Sequence, residues 1–285
     1  MKRILVGFCA LVAITLTSQA QILLSGGLTY SQDFDSLASS TTTTTVPWAD
    51  NATLPGWYAA RAYTGGTSTP LGSYPYTGYR VSGGENNSGW IFSYGTNGVN
   101  SITERALGSL GSGTPKTNAF GLRLKNDTTD TIGQITLSYM GEQWRLGQGN
   151  FSGNTLYFSY KTSSGALTDL APNDANPAAS SWTFVAAEYF TSPILAAATS
   201  DPVYGALDGN APDNRQFISS TFGLTLNPGD EIFLRWTDPD ESGNDMGLAV
   251  DDLTLTMTVV PEPSSVALIG LGMLGFIGFL RRRNS

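Results

Sequence analysis

The sequence predicts an all-β fold, in which one domain forms an antiparallel β-sandwich or jelly roll. The first observation is that many short segments alternate apolar and polar residues, the period of a strand with one buried face. The second is that Gly, Asn, Asp and Pro separate these segments, with 33 Gly and 14 Pro in 285 residues. The third is that no long helical pattern lies between them, which favours packed sheets.

The strands are predicted from these alternating segments. The strongest alternation occurs at residues 120–124, 135–139, 156–160, 232–236 and 253–257. Further strands are predicted at residues 28–34, 57–61, 89–94, 182–190 and 216–226. Two regions rich in Gly, Ser, Pro or Asp are expected to form long irregular loops, namely residues 63–87 and 201–215.

The composition excludes several classes of chemistry. The chain has no His, which removes Ser-His-Asp and Cys-His catalysis and His-ligated zinc. Its one Cys is Cys9, which lies in a segment that we expect to be cleaved. The mature chain would then contain no thiol, no disulfide and no Cys-ligated metal.

The N-terminus has the organisation of a secretory signal peptide. A short basic start, Met1–Arg3, precedes an uncharged apolar run over residues 4–16. Small residues at the −3 and −1 positions predict cleavage between Ala20 and Gln21. The alternative is a membrane anchor, but an apolar run of about 13 residues is short for a span.

The C-terminus carries a second tripartite signal. Pro261, Glu262 and Pro263 precede an uncharged apolar segment over residues 266–280, and Arg281, Arg282 and Arg283 follow it. As a helix the apolar segment is about 22 Å long, against a hydrocarbon core of about 30 Å. We expect a transmembrane helix at 266–280 that spans with local thinning, its arginines on the cytoplasmic side.

This tail resembles the PEP-CTERM sorting signal in the order and spacing of its three parts. The resemblance covers about the last 26 residues. It implies export in a Gram-negative bacterium that secretes polysaccharide, membrane anchoring through the helix, and processing by an exosortase-type transpeptidase before release to the cell surface or extracellular matrix. The alternative is an ordinary C-terminal membrane anchor.

The predicted organisation is therefore a signal peptide at 1–20, a β-sandwich domain at 21–258 and a sorting signal at 259–285. Without the two signals, ten basic side chains face 22 acidic ones, a net charge of −12. Such an acidic domain argues against nucleic acid as a partner and is compatible with cation binding.

Short motifs recur through the central domain at residues 32–37, 54–58, 104–108, 141–145, 234–238 and 247–253. Together they resemble an extracellular bacterial β-sandwich module that occurs alone with PEP-CTERM tails or in front of secreted enzymes. The resemblance implies a jelly-roll topology similar to concanavalin-like and MAM-like domains, and no known activity.

The densest group of oxygen-bearing side chains suggests a calcium site. Asp238, Asp240 and Asn244 lie at alternating positions of a loop with a Gly for the turn, as in calcium-binding loops. Ala249 occupies the position of the bidentate Glu, so the loop is not an EF-hand. Asp251 is in phase with the apolar residues of the last strand, and we expect it to point into the sandwich. The alternative is a solvated hairpin, with Asp251 bonded to backbone amides.

Aromatic side chains could form a surface for sugar rings. Tyr74, Tyr76 and Tyr79 lie in a predicted loop region, with Tyr63, Trp90 and Tyr94 nearby in sequence. Flat aromatic faces stack on sugars and offer a polar tip. The alternative is that these residues pack in the core.

We interpret the chain as a non-enzymatic accessory or structural protein of the cell envelope or extracellular polysaccharide matrix. The first alternative is a carbohydrate-binding module, which would need exposed aromatic residues. The second is a carboxylate-based glycoside hydrolase, which would need two acidic side chains facing each other in a groove, one with a raised pKa. Glu104 with Arg105 and Glu142 with Arg145 are expected instead to form ion pairs between strands.

Overall fold

A computed structural model describes residues 21–39, 45–63, 72–96, 103–149, 152–195 and 205–260. The predicted signal peptide and residues 261–285, including the expected helix at 266–280, lie outside these ranges. Within the described ranges no helix is long and apolar enough to cross a membrane.

The described chain is built from strands and three single turns of 3₁₀ helix, at Leu24–Gly26, Ala186–Glu188 and Pro212–Asn214. The strands are β1 (Ile22–Leu23), β2 (Thr29–Gln32), β3 (Thr45–Pro47), β4 (Trp57–Tyr63), β5 (Gly72–Pro75), β6 (Gly78–Ser82), β7 (Trp90–Tyr94), β8 (Ala106–Leu110), β9 (Thr117–Lys125), β10 (Ile132–Leu146), β11 (Thr155–Ser163), β12 (Thr183–Phe184), β13 (Phe190–Thr191), β14 (Gly205–Ala206), β15 (Arg215–Leu226), β16 (Glu231–Pro239) and β17 (Gly247–Val259).

Two sheets form the two layers of the fold. The first sheet has the order β12-β11-β16-β9-β4-β5, with β1 beside β9 and β13 beside β11. The second has the order β14-β10-β17-β8-β7-β6-β3, with β15 beside β10 and β2 beside β17. The pairing is antiparallel except for two parallel pairs, β1 with β9 and β6 with β7. The prediction of an all-β protein with two packed sheets is confirmed, and the jelly-roll connectivity stays a prediction.

The core lies between the inner faces of the two sheets. Trp57, Phe120 and Trp236 of the first sheet share one apolar cluster with Tyr139 and Leu255 of the second. Alternating residues of each strand reach this cluster because successive side chains of a strand point to opposite faces. The alternation in the sequence therefore identified the inner faces of β9, β10, β11 and β16.

Each sheet also has a covered outer face. Outside the first sheet, Arg235 lies 3.8 Å from the centre of the Trp182 ring and donates hydrogen bonds to the carbonyl oxygens of Leu170 and Ala171. Outside the second sheet, Tyr94 stacks on Trp144 at 6.1 Å between ring centres. Side chains that a two-layer sandwich would expose to solvent are consequently buried.

A β-bulge in β17 reverses the facing of its first half. Ser138 pairs with Thr254, but Met140 pairs with Asp251, so β17 holds one extra residue at this point. Asp252, at the bulge, has a positive φ of 47°. Before the bulge Val250 faces the core, whereas after it Leu253 does. Our expectation that Asp251 points inward with Leu253 is therefore wrong, because the bulge turns Asp251 to the outer face.

Two other local predictions were wrong. Residues 182–190 were expected to form one strand, but β12 and β13 are separated there by a 3₁₀ turn. Residues 63–87 were expected to be irregular, but they contain β5 and β6. Both regions lack a long alternating pattern in the sequence. Their short strands form by pairing with neighbouring strands towards the edges of the sheets, which a local pattern does not reveal.

Because of the bulge, we expect Gly to be more stable than Ala at Asp252, the reverse of the usual order within a strand. Asp252→Gly should be more stable than Asp252→Ala by about 1 kcal/mol, because a left-handed backbone penalises any Cβ. Both variants remove the same charge, so this difference isolates the backbone.

The control is the exposed Thr254, two residues along the same strand. There the Ala variant should be more stable than the Gly variant by roughly 0.5–1 kcal/mol. Urea unfolding of the four variants measures both differences. The same order at both positions would show that β17 has no bulge at Asp252.

Candidate functional site

The structure separates the residues of the predicted calcium site. Asp238 lies on β16, in the first sheet, and Asp251 lies on β17, in the second. Asp240 pairs with Lys116, and the side chain of Asn244 is exposed. Among the described residues, Asp238, Asp240 and Asp251 form no group of mutually close carboxylates. The predicted grouping is therefore wrong, because the inward direction assumed for Asp251 ignored the bulge.

Asp251 instead meets two glutamates from other parts of the second sheet. One oxygen each of Glu104, Glu142 and Asp251 lies within 4.8 Å of the other two. Glu142 is on β10, beside β17, and Glu104 comes just before β8, which pairs with the other edge of β17. We call these three residues the carboxylate cluster.

The carboxylate cluster is enclosed and only partly hydrogen-bonded. Glu142 is 0% exposed and Asp251 4%, and Glu104 is partly buried. Trp144 Nε1 donates to Glu142 Oε2 at 2.9 Å, and Asn210 Nδ2 donates to Glu104 Oε2. In the part of the chain that the structure describes, Glu104 Oε1, Glu142 Oε1 and Asp251 Oδ1 are buried without a hydrogen-bond partner.

Burial and mutual repulsion disfavour the charged forms of two of these groups. Burial, and then the charge of Glu142, raises the pKa of Asp251 to about 9. Burial, and then the charge of Glu104, raises the pKa of Glu142 to about 8, although Arg215 opposes this shift. Neither of the ion pairs Lys116–Asp240 and Arg123–Glu231 includes a residue of the cluster. The carboxylates must therefore hold protons or share a bound cation.

The segment 205–215 covers the outer face beside the cluster. β14 pairs with the end of β10, and the Leu207 amide donates to the carbonyl oxygen of Trp144 at 2.8 Å. Gly209 lies so close to the Trp144 indole that a Cβ there would come within 2.3 Å of the ring. Asn210 of the same segment bonds to Glu104. The segment thus shields the carboxylate cluster from solvent, and its Asn210 side chain also donates a hydrogen bond to one of the three acids.

A second group of buried acids lies at the end of β16. Asp238 is 0% exposed, and its Oδ2 accepts a hydrogen bond from Ser109 Oγ at 2.7 Å. Burial, and then the charge of Asp245, raises the pKa of Asp238 well above its usual value. The same two causes raise the pKa of Glu241 to about 8, and burial raises that of Asp245 to about 6. Glu241 therefore holds a proton in the folded state near neutral pH, whereas Asp245 is mostly ionised there.

Two of the three tyrosines expected to contact sugars are core residues. Tyr76 is 2% exposed and Tyr79 3%. Tyr74 is partly buried and packs edge-on against Tyr63 at 5.5 Å. Tyr63 in turn lines a surface cavity of about 330 Å³, together with Lys116 and the amides Asn173 and Asn176. A flat platform of three exposed tyrosines is therefore not present at Tyr74, Tyr76 and Tyr79.

The two expected ion pairs are also wrong. Arg105 donates to the side chain and carbonyl of Ser93, and Arg145 donates to the carbonyl oxygen of Gly84. Glu104 and Glu142 are left to face Asp251. Sequence reasoning paired them with the nearest arginine along the chain. The signal that could have identified Glu142 is its position two residues from Trp144, on the same face of one strand.

Comparison with known proteins gives one match to a family model. Residues 259–283 match the PEP-CTERM protein-sorting motif, which confirms the resemblance seen in the tail. The match overlaps the two-sheet domain only at Val259, the last residue of β17. A search of curated proteins finds no match to the chain.

Solved structures that match include TmCBM61 in complex with β-1,4-galactotriose, at 6% identity and a TM-score of 0.26, covering 54% of this chain and 72% of that one. Two cleaved adhesin domains of Lys-gingipain from Porphyromonas gingivalis also match. One has 14% identity and a TM-score of 0.32, covering 75% of this chain and 99% of its own. The other has 12% identity and a TM-score of 0.26, covering 81% and 98%.

The acids at the end of β16 predict a stability that falls as the pH rises. Their pKa values are raised in the folded state, so their contribution is complete below an unfolded pKa of about 4 and is lost as the pH rises through the folded values. Glu241→Gln should remove part of this loss, on the order of 1 kcal/mol between about pH 5 and about pH 8.5, after allowance for solvent screening.

Urea unfolding at the two pH values, in the presence of chelator, measures this difference. Asp213→Asn, at an exposed position in the turn Pro212–Asn214, is the control and should lose as much stability as the unmodified chain. An equal loss in Glu241→Gln would mean that Glu241 is ionised in the folded protein at both pH values.

Proposed function

We propose that this chain is an exported surface protein whose tail is a temporary membrane anchor, removed by an exosortase-type transpeptidase. The observation that carries the proposal is the PEP-CTERM protein-sorting motif at residues 259–283. Within it, Pro261–Pro263 would be read by the transpeptidase, residues 266–280 would hold the chain in the membrane, and the three arginines would keep its end in the cytoplasm. An N-terminal signal peptide with cleavage after Ala20 fits the same route.

For the mature domain we propose an accessory or structural role in the envelope or the extracellular polysaccharide matrix, without catalysis. The buried positions of Tyr76 and Tyr79 favour this role over that of a carbohydrate-binding module. The enclosure of Glu142 and Asp251 favours it over that of a glycoside hydrolase. A hydrolase acts on a bond that lies between its two carboxylates, and a polymer does not reach side chains that solvent barely touches.

The order of the tail predicts how its processing responds to charge. In cells with an active exosortase, the mature protein should lack residues 266–280, as measured by intact mass. Replacing Arg281, Arg282 and Arg283 with Ser should lower processing, because the positive charges fix the cytoplasmic end of the segment.

The matched control replaces the same three arginines with Lys, which keeps the charge and should keep normal processing. Replacing Pro261–Pro263 with Ala should leave the anchor in place. A mature protein that still contains residues 266–280, in cells where another substrate is processed, would contradict the sorting proposal.

A further inference from the structure

Three acidic side chains from separate parts of the chain meet in the carboxylate cluster, and no described residue provides a hydrogen-bond partner for one buried oxygen of each. Glu104 precedes β8, Glu142 lies on β10 and Asp251 on β17. Glu104 and Glu142 are 38 positions apart in the sequence, and Glu142 and Asp251 are 109 apart, so only the tertiary fold brings the three together. Such convergence of like charges is costly unless something compensates for it.

The cost is visible at individual atoms. Glu142 is 0% exposed, yet its Oε1 has no hydrogen-bond partner among the described residues. The same holds for Asp251 Oδ1 and Glu104 Oε1. Buried polar atoms are almost always satisfied, so three unsatisfied carboxylate oxygens in one place point to a ligand that supplies positive charge.

We propose that Glu104, Glu142 and Asp251 bind one hard divalent cation, calcium, beneath the segment 205–215. Calcium takes oxygen ligands at 2.3–2.6 Å, so two of its ligands can be separated by up to roughly 5 Å. One oxygen from each of the three residues meets this limit, at 4.8 Å or less. The remaining positions of a shell of roughly six to eight ligands are left to water.

The hydrogen bonds around the cluster orient the ligands. Trp144 Nε1 holds Glu142 Oε2, which leaves Oε1 for the cation. Asn210 holds Glu104 Oε2 in the same way and connects the cluster to the covering segment. Outer partners of this kind fix the position of a metal ligand. The cation would thereby fasten β10, β17 and the start of β8 to the segment that covers them.

Calorimetry with calcium chloride on the purified full-length protein tests this site. We expect one ion per chain and a melting temperature that falls by a few degrees in chelator. Terbium offers a second readout, since the indole of Trp144 is hydrogen-bonded to a proposed ligand and should sensitise its luminescence.

Two substitutions identify the ligands. Glu142→Gln and Asp251→Asn should each weaken calcium binding at least about tenfold and abolish the chelator response. In chelator both variants should melt at or above the temperature of the unmodified chain, because a neutral amide is less costly to bury than a carboxylate. This result separates loss of a ligand from loss of folding.

Asp238→Asn is the matched control, an equally buried acid outside the cluster, and it should bind calcium normally. The absence of binding heat together with indifference to chelator would overturn the proposal. So would unchanged affinity in Glu142→Gln and Asp251→Asn, or loss of binding in a folded Asp238→Asn variant. The test does not depend on how the tail is processed.

Discussion

The packing around Trp236 is the contact on which the two-sheet arrangement depends. Its ring stacks on Trp57 and Phe120 within the first sheet, at 6.0 and 6.1 Å, and meets Tyr139 of the second sheet edge-on at 5.6 Å. Large aromatic side chains bury more apolar area than other residues, and their stacking adds to it. One side chain therefore links both sheets, in a mature domain for which no disulfide is expected.

The outer layers follow from this arrangement. With the inner faces filled, Trp144 and Tyr94 of the second sheet need a cover, and the segment 205–215 supplies one. The cover also encloses Glu142 and Asp251, which share that face. Burying ionised carboxylates costs free energy unless a positive charge lies nearby. The packing that stabilises the aromatic stack therefore also favours binding of a cation beside these acids.

The sequence predicted the parts of the fold that depend on local alternation. The inner faces of β9, β10, β11 and β16 could be read residue by residue. The facing of Asp251 could not, because a bulge at Asp252 shifts the phase by one residue and leaves no mark in the alternation. The alternation alone places Asp251 on the inner face, and this is why the sequence predicts a calcium site that combines Asp251 with the loop after Asp238. Glu104 and Glu142 come close to Asp251 only through sheet pairing, which a linear pattern does not contain.

The position of the cation is tested most directly by anomalous scattering from crystals of the protein grown in calcium chloride. The expected result is an anomalous peak about 2.3–2.6 Å from an oxygen of each of Glu104, Glu142 and Asp251. Well-defined density for these three side chains without a peak between them would contradict the site, and a peak beside Asp238 would place the ion in the other acidic group.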